Sequence, residues 1–159
     1  MAIHKLDLDD FFDDVNFALI GIHCNLEDYR LAYLLNESLR IQLKRKPNDL
    51  KFNNGGIYSV YEWENEHELK LWNFVSNIYK KQEVLSVTDE TSLFRTETTT
   101  RTIQLVPEYK KVNYFLKISD ETQTVNTSKI IGRIQKIPQV ATAYTIDVDQ
   151  LTSKGNLIF

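Results

Sequence analysis

Residues 15–46 read VNFALIGIHCNLEDYRLAYLLNESLRIQLKRK, and two kinds of apolar spacing inside them decide the fold. Val15 to Ile22 is almost continuously apolar and ends in polar His23 and Asn25, the pattern of a strand buried on both sides. Leu31, Leu35, Leu39 and Leu43 then recur every fourth residue, which traces one face of an α-helix. Asn25 precedes Asp28 by three positions, and Glu27 and Asp28 set negative charge at the positive end of the coming helix. The spacing therefore predicts an N-cap at Asn25. Lys44, Arg45 and Lys46 close the predicted helix ahead of Pro47, where cations oppose the negative end of its dipole.

Downstream, a polar loop holds Gly55 and Gly56, and Ile57–Glu64 and Leu69–Asn77 alternate as two strands with a turn near Asn65, Glu66 and His67. Residues 86–102 are rich in Ser, Thr and Glu and fit either a polar loop or a long β-ribbon. Ile103–Val106 and Val112–Ile118 predict a hairpin around Pro107–Lys111. A second helix is predicted over Thr127–Lys136, with Ile130, Ile134 and Ile137 on one side and Pro138 ending it. Val140, Thr142, Tyr144, Ile146 and Val148 alternate through a last strand, and the apolar Leu157-Ile158-Phe159 predicts a docked terminus. Upstream, residues 1–14 form an acidic N-terminal arm with Leu6, Leu8, Phe11 and Phe12 as apolar anchors.

The order is strand, helix, several antiparallel strands, helix, strand. It predicts an α+β fold: a ferredoxin-like, ACT-like two-layer sandwich with a largely antiparallel sheet and two helices on one face. A length of 159 residues fits a single domain over 1–159. Trp72 and Phe74 alternate with Leu71 and Val75, and Tyr58 and Val60 alternate with Tyr61 and Trp63, so both sheet faces carry large apolar groups. Water is a poor neighbour for either face. Partial cover by the 83–106 segment and the arms, together with a homodimer through a sheet face, is the expectation.

Composition narrows the function classes. Apolar residues at 42% and charged residues at 26% are globular usage, which argues against a disordered chain. A net charge of −3 gives no global pull toward nucleic acid or membrane, so any anion site has to be a local patch. Lone Cys24 excludes an intrachain disulfide and fits a reducing compartment. Charges at Lys5, Asp7, Asp9 and Asp10 are incompatible with a signal peptide, and Phe17–Ile22 is far short of a membrane span. The reading is a soluble, cytoplasmic protein with no membrane partner.

Ordinary chemistry-bearing motifs are missing. His4, His23 and His67 have no partner at zinc-ligand spacing, and His23 and Cys24, adjacent on a strand, point to opposite faces. The acidic run Asp7, Asp9, Asp10, Asp13, Asp14 has Phe11 and Phe12 where a calcium loop needs its sharp glycine turn. Gly55-Gly56 precedes a strand, so it offers no helix N-terminus to a phosphate. No serine sits in a nucleophile elbow. No cofactor and no metal are called for. The basic groups are the remaining candidates. Lys129, Arg133 and Lys136 form a stripe on the second helix opposite Ile130 and Ile134, and Lys44, Arg45 and Lys46 end the first helix. In the expected sandwich both helices share one surface, which offers an anionic protein or RNA a joined basic patch.

The stretch Val106-Pro107-Glu108-Tyr109-Lys110-Lys111-Val112-Asn113-Tyr114 resembles the signature of the bacterial IPExxxVDY family. FALIGIHCNLEDYRLAYLLNESLRI, VATAYTID and the terminal NLIF agree with it. The resemblance covers nearly the whole chain and implies a small cytosolic protein, with no established activity to carry over. Val106 stands in place of isoleucine and Asn113 in place of aspartate. Losing that carboxylate removes acid–base chemistry at 113 but leaves a turn or capping role intact. Pro107 fixes the exit from one strand, Glu108 serves exposed turn amides, and Val112 and Tyr114 return inward with Asn113 facing the other side. A weaker similarity, over IIGRIQKIPQVATAYTID, is to ACT-type regulatory domains. The function expected is a non-enzymatic protein-binding or adaptor protein. The alternatives are an enzyme or RNA-processing accessory built on Glu108 with Tyr114 and Lys117, and an ACT-like sensor of a small metabolite.

Overall fold

The computed structural model describes residues 16–86 and 96–159. Its main sheet has six strands in the order β10-β1-β9-β6-β5-β2. They are β1 (Ala18–Cys24), β2 (Lys44–Arg45), β5 (Val60–Asn65), β6 (Lys70–Ser76), β9 (Tyr114–Asp120) and β10 (Val140–Ile146), and every neighbouring pair is antiparallel. Two smaller pairs stand beside it: β3 (Leu50–Lys51) with β4 (Ile57–Tyr58), and a ribbon of β7 (Ile78–Ser86) with β8 (Thr96–Gln104). Of the two readings of 86–102, residues 96–102 belong to that ribbon; the acidic arm, His4 and residues 87–95 lie outside the described residues.

Helices α1 (Asp28–Leu39) and α2 (Thr127–Gln135) cover one face of the sheet. Leu31, Leu35 and Leu39 of α1 and Ile134 of α2 bury against Ile20, Ile22, Trp72, Phe74, Leu116 and Ile118. Each such side chain removed from water contributes about 2 kcal/mol. α1 departs from expectation at both ends. Its N-cap is Glu27, not Asn25, and no side chain caps it. It stops at Leu39 because Arg40 turns left-handed at φ 57° and its amide bonds to the carbonyl of Asn36. The Asn36 side chain then accepts from the Leu43 amide at 2.8 Å and donates to the Leu43 carbonyl at 3.0 Å. Leu43 still enters the core, but from extended chain. Lys44 and Arg45 consequently form an edge strand, so no basic helix terminus exists there.

The last strand is also not a plain alternation. The β1–β10 register shifts between His23 and Cys24, so Val140 and Ala143 both reach the helical side while Ile146 faces away. Ile103–Val106 and Val112–Ile118 do not pair with each other. β8 pairs with β7, and β9 is inserted between β1 and β6, because the chain between them is a 3-10 turn over Pro107–Tyr109 in place of a tight hairpin.

The second apolar face is covered from within. Tyr58, Leu105, Val106, Val112, Val148, Leu151 and Leu157 close over Leu19, Val60, Val75, Phe115 and Ile146. Gly21 makes room for this layer, since a Cβ there would meet Ile146 Cδ1 at 2.9 Å and Val112 at 3.4 Å. Val112 thus packs on the opposite face from Tyr114, contrary to the expectation that both return to one side. The apolar face that made a second subunit the expectation is filled by this chain's own side chains.

Candidate functional site

The Val106–Tyr114 segment is organised by a residue outside it, Asn77, which lies between β6 and β7 and is fully buried. Its side-chain oxygen accepts from the Val106 amide at 2.8 Å. Its NH2 group donates to the carbonyls of Tyr109 at 2.9 Å and Val112 at 2.8 Å. Its own amide donates to the Asn113 carbonyl, and its carbonyl accepts from Leu105. A buried amide used on every side rigidifies the backbone it clamps.

The other polar groups of the segment are also engaged. Glu108 is exposed at the turn, and its Oε2 accepts from the Ser153 hydroxyl at 2.8 Å and the Ser153 amide at 3.2 Å. Slight burial raises its pKa, but these bonds to Ser153 outweigh it and hold the carboxyl below its ordinary value. Asn113 Oδ1 accepts from the Cys24 amide at 2.9 Å, at the register shift of β1. Asn113 also donates its amide to the Ile22 carbonyl. An aspartate would accept the same bond, so the departure at 113 preserves this contact. Tyr114 donates its hydroxyl to the Leu26 carbonyl at 2.5 Å, and burial pushes its pKa upward.

Lys117 lies elsewhere. Register places Glu62, Asn73 and Lys117 in one row across the face opposite the helices. Asn73 donates to Glu62 at 3.0 Å, and Lys117, 4% exposed, donates to the Leu157 carbonyl at 2.6 Å. Its ammonium sits 4.8 Å from the Phe17 ring centre and 4.6 Å from that of Phe159. Burial lowers its pKa to about 8, against the raising influence of Glu62. Glu108, Tyr114 and Lys117 therefore do not converge: the first caps a surface turn, the second bonds into the helical side, and the third lies under the C-terminal segment.

His23 bonds through Nε2 to the Tyr144 hydroxyl at 3.0 Å, whereas Cys24 Sγ is directed to the Gln139 carbonyl, so the two share no proton. Among the described residues no group of three or more His, Cys, Asp or Glu is placed to hold a metal. Among the described residues no helix is long and apolar enough to cross a membrane.

The basic candidates separate. Lys44, Arg45 and Lys46 lie at the β2 edge, where Arg45 pairs with Asp49 and Lys46 with Glu62 at 2.9 Å. Lys129, Arg133 and Lys136 are carried by α2, which packs against β10 and β1. The first group thus belongs to the strand at one edge of the sheet and the second to a helix, in place of two helix faces. The outer side of α1 carries a feature that the leucine period conceals. Tyr29 and Tyr33, one turn apart, are 61% and 68% exposed, with Arg30 and Leu34 beside them. Asn77 and Ser153 are equally absent from the sequence reading as partners of the motif; the local signal for Asn77 is a Ser76-Asn77 pair flanked by apolar residues in FVSNIY.

No protein-family model matches the chain, and no curated protein or solved structure matches it either.

Proposed function

We propose that this chain is a cytoplasmic, non-enzymatic protein-binding or adaptor protein of the IPExxxVDY family, built on a ferredoxin-like frame, and that its partner docks on the helical layer. The frame reading is supported by the antiparallel order β10-β1-β9-β6, in which a strand–helix–strand unit and its mate interleave, with β5 and β2 extending one edge. The family reading rests on the segment at 106–114. The observation that carries the function is the exposed pair Tyr29 and Tyr33 beside Arg30. Tyrosine and arginine dominate the energetically important contacts of protein interfaces, and large apolar groups held in water are otherwise costly. The sheet face, the other docking surface considered, is occupied by the chain's own Leu151 and Leu157. An enzyme centred on Glu108 is less favoured because its carboxylate is spent on Ser153.

Affinity capture from source cells with the full chain tests this. Tyr29→Ala with Tyr33→Ala is expected to abolish capture of the partner while leaving the melting temperature unchanged. Charge reversal of Lys129 and Lys136 is expected to weaken it less. Undiminished capture by the tyrosine variant would overturn the docking surface, and an activity lost on Glu108→Gln would overturn the non-enzymatic reading.

A further inference from the structure

Beneath the helical layer, the C-terminal end of α1, the first turns of α2 and β6 enclose a recess of about 240 Å³. Leu39, Trp72 and Ile130 supply apolar walls, and Lys70, Lys129 and Arg133 supply cations, with no acidic residue in the lining. Lys129 and Arg133 stand four residues apart on α2 and form no ion pair among the described residues. Lys70 pairs only with Glu68, whose side chain is 58% exposed and exchanges its partner for water at little cost. Trp72 is 7% exposed, and its indole Nε1–H is buried without an acceptor. An indole nitrogen donates only, and leaving one buried and unpaired costs about 1–3 kcal/mol.

Three cations of which only Lys70 has an ion-pair partner, set among apolar walls with no acidic residue, ask for one kind of occupant. We propose that this recess binds a small organic anion, a carboxylate or phosphate monoester carried on a compact apolar or aromatic body. The anionic oxygens neutralise Lys129, Arg133 and Lys70; the body packs on Leu39, Ile130 and the Trp72 side chain. The recess opens to solvent on one side and is of a size to seat roughly one ring with its acid group. Tyr29 and Tyr33, the anchors of the protein-docking surface proposed above, do not line the recess; Lys129 is common to both surfaces, so the tyrosine variant is what tests them apart.

The chain's two tryptophans, Trp63 and Trp72, provide the readout as two indole N–H resonances, assigned with Trp63→Phe. The full chain is titrated with phenylacetate, phenyl phosphate, benzyl alcohol and inorganic phosphate. A saturable shift of the Trp72 resonance with phenylacetate or phenyl phosphate is expected, the tighter of the two identifying the acid group. Lys129→Gln with Arg133→Gln is expected to weaken binding by about tenfold or more, and Lys70→Gln, on the other wall, to weaken it in the same direction. Tyr29→Ala with Tyr33→Ala leaves the titration unchanged even where it abolishes partner capture. The proposal is overturned if neither acid gives a saturable shift, if benzyl alcohol or inorganic phosphate alone binds as well as the acids, or if the cation variants retain full affinity.

Discussion

The two faces of the central sheet are both apolar, yet they are closed by different physics. On one, α1 and α2 lay regular stripes onto Ile20, Phe74 and Leu116, and cohesion is mostly area removed from water. On the other, the cover is a set of turns and short pieces: the 105–113 segment, the β3–β4 hairpin and residues 147–157. Irregular backbone cannot satisfy itself as a helix does, so this cover is pinned by side chains. Asn77 clamps 106–112, Glu108 holds Ser153, Asn156 donates to the Leu105 carbonyl at 2.9 Å, and Lys117 holds Leu157. A helical layer tolerates loss of one contact by degrees. A pinned layer fails at its pins.

The largest test of that difference is Asn77→Ala. It orphans the Val106 amide and the Tyr109 and Val112 carbonyls, and is expected to cost about 4 kcal/mol. Hydrogen exchange should rise first over 105–113 and the base of the ribbon, with α1 still protected; uniform loss of protection would merge the two faces into one cooperative unit. Leu35→Ala, on the helical side, is expected to cost about 3 kcal/mol by denaturant unfolding and to loosen the core of that face evenly.

Lys117 gives a pH dependence peculiar to the pinned face. Burial sets its folded value near 8, below the 10.5 of the unfolded chain. Between these values the unfolded chain holds more protons, so stability should rise with pH through that interval, by on the order of 2–3 kcal/mol. Lys117→Met should remove the rise, and a rise that persists in the variant would assign it to another group. The smallest effect is expected from Glu108→Gln. With its folded pKa depressed, Glu108 stabilises above the ordinary carboxyl range and loses that contribution as pH falls through the folded value. At an exposed turn this amounts to about 0.5 kcal/mol at neutral pH, readable as loosened exchange over 147–157.

Legibility followed the same division. The β1–α1 unit, the β5–β6 hairpin, α2 and β10 were all visible because apolar periods of two and near four repeat within a short window. The end of α1 differs from the expectation because Leu43 keeps the helical spacing, while the Asn36 side chain, accepting from the Leu43 amide and donating to its carbonyl, holds the chain out of the helix. Lys44–Lys46 therefore changed from a helix terminus to a sheet edge. The hydrogen-bond partners of the Val106–Tyr114 residues are hidden in the sequence, and so is the aromatic face at Tyr29 and Tyr33. An exposed tyrosine and a buried one look alike in a helix whose leucines already supply the core stripe.

By itself, then, the sequence determined the α+β class, the two helices with the strands around them, and the presence of two apolar sheet faces. Those properties come from burial, which has no direction and is written in local periodicity. Only the tertiary structure decided what covers the second face and what holds Val106–Tyr114 in place. Those depend on directional hydrogen bonds between residues 29 positions apart, as for Asn77 and Val106, or 89, as for Cys24 and Asn113. No local pattern encodes such a meeting, because it exists only after the strands have been placed side by side.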